Sequence, residues 1–246
     1  GLSAYDNMDN SHETTSFNYV ADFGNLELSA TMYDNDFARN WFKVDKIDNN
    51  KVYGHGNGIN NIIAAANAGE ATASAILNGT NAEAVEIKLK NNNRAYTSEG
   101  TDLKLQYTTE NQSLTIGYRD TEDSEDRFQV YAYADWLNGQ LGAMTVGSDP
   151  GYSSNNRVTK AQATAFYINE EINFGALTVN LGYRSEDWEI SQDRYVDAAR
   201  SAIATDKGYP KQLSDSDNSL MGFGATYEVN DTTQLFFGFH EGFTPT

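Results

Sequence analysis

Along Leu177–Arg184 apolar and polar residues alternate one by one, Leu177, Val179, Leu181 and Tyr183 against Thr178, Asn180, Gly182 and Arg184. A two-residue period of this kind belongs to a β-strand with unlike faces. With the preceding stretch, Asn156–Glu189 reads as two strands joined by a tight turn at Asn173–Ala176. The same pattern recurs along the chain. Phe17, Tyr19, Ala21 and Phe23 alternate within Ser16–Phe23, and Gly24-Asn25 makes a turn into Asn25–Ile47, where Leu26, Leu28, Ala30 and Met32 share a face. Thr97–Thr108 and Ser113–Arg119 flank a short turn at Glu110–Gln112, with Leu103, Leu105 and Tyr107 facing as Leu114, Ile116 and Tyr118 do. Ser219–Val229 and Gln234–Phe243 form the last pair around Asn230–Thr232.

Eight strands in four hairpins follow, with turns of a few residues at one end. At the other end lie three excursions of roughly 27 to 46 residues, Asp48–Asn93, Asp120–Asn155 and Ser191–Asp217. Within the first, Ile59, Ile62, Ile63, Ala66, Ala73, Ile76 and Leu77 fall at helical spacing, which predicts one or two short helices capping a barrel mouth. Val196–Ala204 is a further helical candidate. Compact soluble domains seldom carry such long connections, whereas outer-membrane barrels sort short turns to one side and long loops to the other. The reading is an all-β, transmembrane antiparallel β-barrel section of about eight strands; the alternative is a soluble β-sandwich with decorated loops.

Composition narrows the choice. Apolar residues make up 39% of the 246, yet there are 15 Tyr and 12 Phe, which suits polar-lined sheets with aromatic girdles at the water–lipid boundary. A formal net charge of −18 argues against nucleic acid as a partner. The absence of cysteine excludes disulfides, thiolate catalysis and Cys-based zinc sites. No run approaches the roughly 18 apolar residues of a membrane helix, and Gly1 opens without a signal-like segment.

The stretch 156–188 resembles a segment of TonB-dependent outer-membrane receptors. An Asn-Arg loop end (Asn156-Arg157) runs into an Ala-rich strand (Ala161–Ala165), an aromatic-to-acidic step (Tyr167–Glu170), a turn and a strand of Gly-x-Arg type (Gly182–Glu186). Tyr227–Thr246 is similar to the family's later strand pair, which ends here in Gly242-Phe243-Thr244-Pro245. NDFARNWFKV and RDTEDSEDRFQ are similar to segments of the ferric dicitrate receptor branch. The resemblance implies a barrel of about 22 strands around a plug domain, of which residues 1–246 supply part of the barrel and neither plug nor TonB box. It further implies energy-coupled uptake of a scarce ligand, usually a ferric chelate, with TonB acting through the missing N-terminal part and the lipid bilayer surrounding the wall. Iron would arrive inside its chelator, so neither a cofactor nor a protein-bound metal is expected.

Candidate ligand-binding residues are Arg119, Arg127, Arg184, Trp188 and His240, with Arg157 and Arg194 alongside. Guanidinium forks at outer strand ends can clasp the carboxylates of an anionic chelate, and can equally pair with Asp120, Glu125, Asp126 or Glu186. His55 and the inward-facing His240 suit a ligand or a lumen-wall hydrogen bond, whereas His12 is uninformative. Trp41, Trp136 and Trp188 suit aromatic patches near the rim or packing between loops. The acidic run DTEDSED lacks the glycine and terminal Glu of a calcium-binding hand loop and reads as solvated. No Gly-x-Ser-x-Gly elbow, His-Glu-x-x-His or phosphate loop occurs, so no enzyme is indicated. A passive porin-like or structural surface barrel is the alternative to an importer.

Overall fold

The computed structural model of the protein describes residues 6–48 and 58–244. Eight long strands, β1 (Asn7–Asp22), β2 (Leu26–Asp48), β3 (Val85–Thr108), β4 (Gln112–Leu137), β7 (Asn156–Phe174), β8 (Leu177–Arg194), β9 (Lys211–Asn230) and β10 (Thr233–His240), pair in chain order as one antiparallel meander. Two short strands, β5 (Gln140–Leu141) and β6 (Thr145–Val146), fold back on the far end of β4. The expected eight strands and four tight turns are all present. Gly24 and Gly175 sit in two of those turns with φ of +83° and +70°, a conformation that costs a side-chain-bearing residue dearly. Among the described residues β1 and β10 do not pair with each other, so the sheet is an open section of wall.

Register turns the sequence alternation into two surfaces. One cross-strand row reads Ala21, Leu28, Leu105, Ile116, Ile168, Tyr183 and Met221, and the next toward the turns reads Leu26, Tyr107, Leu114, Glu170, Leu181, Phe223 and Phe239. None of these side chains is buried; Met221 is 60% exposed and Leu181 50%, as a lipid-facing surface requires. Tyr19, Tyr118 and Phe166 border the apolar rows on one side and Phe174 and Tyr227 on the other, the expected aromatic girdles. The apolar band steps toward the turn end from β1 to β10, as strands tilted in a barrel demand.

Beyond the apolar band the strands run on, and three expectations change. Ser16, Thr97 and Arg119 mark limits of hydrophobic alternation, not strand ends: β1 begins at Asn7, β3 at Val85, and β4 continues to Leu137. The DTEDSED run therefore lies in β4, and the second excursion shrinks to residues 138–155. Val196–Ala204 forms no helix; a single 3₁₀ turn, Thr205–Lys207, follows it. The helices α1 (Ile59–Asn67) and α2 (Ala71–Asn78) exist as predicted but do not cap the mouth. Their Ile62, Ala73 and Ile76 pack on Ile47, Ile87, Leu89, Ala132 and Trp136, all on the outward-facing side of β2–β4. This is the only continuous buried core among the described residues. Trp136 locks it, donating Nε1–H to the Ile76 carbonyl at 2.9 Å while its own carbonyl accepts from Asn81 Nδ2 at 2.8 Å.

On the inner surface two tyrosine rings lie over glycines of the adjacent strand, Tyr33 over Gly100 and Tyr167 over Gly117. A Cβ added at Gly117 would stand 2.0 Å from Tyr167 Cζ. Gly117→Ala is therefore expected to lift the ring and cost about 1–3 kcal/mol. Gly58→Ala, with nothing within 4 Å of the added Cβ, is expected to be neutral. Urea unfolding in detergent micelles compares the two.

Candidate functional site

The inner face gathers the chain's cations. Arg39, Arg94, Arg127, Arg157 and Arg194 stand directly opposite one another on β2, β3, β4, β7 and β8, forming one cross-strand row above the level of the apolar band. Five strands at about 4.8 Å spacing make this row about 19 Å long. Over the next three rows outward, the same face carries Lys43, Lys88 and Lys90 among Trp41, Tyr131 and Tyr133, with Lys43 Nζ 3.6 Å from the Trp41 ring and Lys88 Nζ 3.7 Å from Tyr131. These five arginines and three lysines are eight of the chain's 17 basic residues.

Counter-charge is scarce along the row. Glu125 sits between two members, taking Arg94 Nη1 at 2.8 Å and Arg157 Nη2 at 3.0 Å. Arg127 bonds only neutral oxygens, Gln129 Oε1 at 3.2 Å and Asn155 Oδ1 at 3.1 Å. The Nε atoms of Arg127 and Arg157 are buried without a hydrogen-bond partner. Burial, then repulsion from Arg94 and Arg157, lowers the pKa of Arg127 against a partial offset from Glu125. Neighbouring like charges about 5 Å apart cost about 1–3 kcal/mol between aqueous and interfacial dielectrics. An anion arriving at the row would relieve that repulsion and supply the missing acceptors.

The outer face carries the opposite sign. Just beyond the apolar band a cross-strand row reads Thr15, Asp34, Glu99, Glu122, Gln162, Glu189 and Asp215. In the adjacent row Asp187 and Asp217 face each other directly.

Of the residues singled out from sequence, Arg127, Arg157 and Arg194 join the row. Arg184 and His240 meet lower down, in a groove of about 520 Å³ that Tyr167, Leu220 and Phe243 also line. Trp188 stands beside it, its ring stacked on Phe243 at 6.5 Å. Arg184 is paired with Glu186 at 2.6 Å and lies 6.0 Å from the Tyr167 ring centroid. Arg119 faces inward opposite Asp102 and Ala165, and like Arg184 it sits well below the outer strand ends, because both strands run on past the expected limits. Trp136 belongs to the helical core and Trp41 to the basic inner face; His55 lies outside the described residues. Arg39, Arg94, Lys43, Lys88 and Lys90 were not anticipated. The alternation of Arg127, Gln129, Tyr131 and Tyr133 against Phe128, Val130, Ala132, Ala134 and Trp136 was the available signal.

A wall with apolar rows and aromatic girdles outside, a polar charged surface inside and tight turns at one end is a section of an outer-membrane-type transmembrane β-barrel. Comparison with known proteins makes this specific. Residues 2–246 match the family described as TonB dependent receptor-like, beta-barrel, and the chain belongs to it. Among solved structures it is similar to the siderophore receptor PiuA from Acinetobacter baumannii, at 10% identity and a TM-score of 0.59, covering 95% of this chain and 32% of that one. It is also similar to the open form of the ferric-catecholate import receptor Fiu from E. coli K12, at 10% identity and a TM-score of 0.56, covering 97% and 36%. The chain thus spans about a third of the length of either receptor. No curated protein matches. The family and these neighbours are transport receptors, not enzymes.

The opposed outer carboxylates give a pH test. Asp217, by hydrogen bond and charge, raises the pKa of Asp187 above its ordinary 3.8. The folded wall therefore holds a proton more tightly than the unfolded chain; its stabilisation is complete in acid and lost as pH rises through the raised value. Asp217→Asn is expected to raise the melting temperature at about pH 7 and to lose that advantage below about pH 4.

Proposed function

We propose that this chain is part of the barrel of an outer-membrane receptor that imports an anionic ferric chelate with energy delivered by TonB. The plug on which TonB acts, and the strands that pair with β1 and β10, lie outside residues 1–246 on this reading, which makes the chain part of one barrel domain. The carrying observation is the arginine row: in a chain of net charge −18, five guanidiniums stand in line and only two of them, Arg94 and Arg157, pair with a carboxylate, Glu125, among the described residues. Membership of the receptor family and likeness in fold to two iron-chelate receptors support the same reading. The acidic outer wall repels an anion while the basic inner face attracts it, so the charge pattern directs ligand toward the bore. Arg127, a row member at its centre with only neutral partners and a buried Nε left without one, is the first contact we assign; Arg184, Trp188 and His240 line a second station nearer the turn end, with Arg119 at a level between Arg184 and Trp188. A passive porin would share the wall but not the need for energy.

Uptake of radiolabelled ferric citrate by iron-starved cells expressing the full-length receptor tests this, with an uncharged ferric hydroxamate as comparator. Uptake is expected to require TonB and to favour the anionic chelate. Arg127→Ala is expected to weaken chelate binding by about 10- to 150-fold, the loss of one charged hydrogen-bonding contact of about 1.5–3 kcal/mol. Equal uptake with and without TonB would overturn the proposal.

A further inference from the structure

Two connections meet at the rim of the wall, residues 138–155 before β7 and residues 195–210 between β8 and β9. Asn156, wholly buried at the start of β7, knots them together. Its Nδ2 donates to the Asp197 carbonyl at 2.7 Å and to the Gly151 carbonyl at 3.5 Å, and its own carbonyl accepts from Tyr195 N at 3.1 Å. From the second connection Arg200, at a left-handed φ of +54°, reaches over β7 to β4. Its Nη1 and Nη2 grip the Asp126 carboxylate at 2.7 and 2.5 Å, and its Nε donates to Asn156 Oδ1 at 3.2 Å. The guanidinium lies 4.8 Å from the Tyr195 ring and 5.7 Å from Phe128.

Asp126 and Phe128 are on the outward side of β4, whereas Arg127 between them points into the arginine row. The same connection also reaches the inner side, where Tyr209 lies 5.1 Å over Arg194, the β8 end of that row. Tyr152, from the first connection, packs against Tyr209 at 6.3 Å. One loop therefore straddles the rim, fastened outside by a bidentate ion pair and presenting two aromatic rings inside.

We propose that Arg200 and Asp126 form a rim clasp that positions Tyr209 over Arg194 and so sets how much of the arginine row is open. Both are positioning residues: neither faces the bore. Bidentate geometry and an arginine held in a left-handed conformation are what a fixed anchor needs, and a solvated surface pair needs neither. The effect on import, but not the clasp itself, rests on the function proposed above.

Residues 1–246 hold no cysteine, so Lys207→Cys introduces a labelling site at the end of the 3₁₀ turn that leads to Tyr209. In the full-length receptor a fluorophore there reports loop mobility without any ligand. Asp126→Asn is expected to lower its anisotropy while leaving the unfolding midpoint of the wall unchanged. The charge-swapped pair Asp126→Arg with Arg200→Asp is expected to restore it. With ferric citrate as probe, Asp126→Asn is expected to change the KM for uptake at least threefold with kcat unchanged. Unchanged anisotropy in Asp126→Asn, or a change that the swapped pair does not reverse, overturns the clasp. Altered anisotropy with unaltered KM upholds the clasp and counts against the arginine row as the place where the chelate binds.

Discussion

Lipid offers no hydrogen-bond partner to a peptide group, so a chain that crosses it by strands must pair each backbone N–H and C=O with a neighbouring strand. Everything else in this wall follows from that requirement. A continuous antiparallel ladder from β1 to β10 satisfies the backbone and leaves the side chains with two directions to point. Outward residues at bilayer depth are mostly Leu, Ile, Val, Phe, Met, Ala and Tyr because water is absent there, Glu170 toward the turn end being the exception; inward ones are largely Thr, Asn, Gln, Gly and charged residues because it is present. Pairs such as Tyr167 on Gly117 fill the inner surface where the backbone would otherwise lie bare.

Once the strands leave the lipid the same ladder carries a different message. The apolar rows give way outside to carboxylates and inside to guanidiniums, so a strongly acidic chain presents a basic surface to the bore. A strand segregates its residues at the shortest possible spacing, because adjacent residues i and i+1 emerge on opposite sides. Asp126 and Arg127 show it at closest quarters: one anchors a loop on the outside, the other stands in the arginine row. The helices follow the outer surface too. Ile62 and Ile76 find their core against Ile87 and Trp136 beyond the level of the bilayer, where an exposed apolar patch would otherwise meet water.

Strand number, turn positions and the lipid-facing residues were legible because at bilayer depth the two faces differ in hydropathy, and alternation of unlike residues is visible in one dimension. The outer halves of the strands were not. From Asp120 to Arg127 polar residues alternate with polar residues, so a strand looks like an acidic loop until its partners are known. The helix-like spacing of Val196–Ala204 lost to Asn156 and Asp126, far away in the chain, which hold Asp197 and Arg200 in an irregular turn. The arginine row was hidden for the same reason. Arg39 and Arg194 are 155 positions apart, and only the register of three intervening strands places them in one line. Arg127 and Arg157 could be picked as candidates singly, but their shared alignment could not.

Assignment of lipid to one surface and water to the other is tested most directly on β8. Single cysteines at Thr178, Val179, Asn180, Leu181, Tyr183 and Arg184 of the full-length receptor, each carrying an environment-sensitive fluorophore, can be reconstituted into bilayers containing spin-labelled lipid. Strong quenching at Val179, Leu181 and Tyr183 with little at Thr178, Asn180 and Arg184 is the predicted result. Uniform quenching along the strand, or quenching on the Asn180 side, would contradict it.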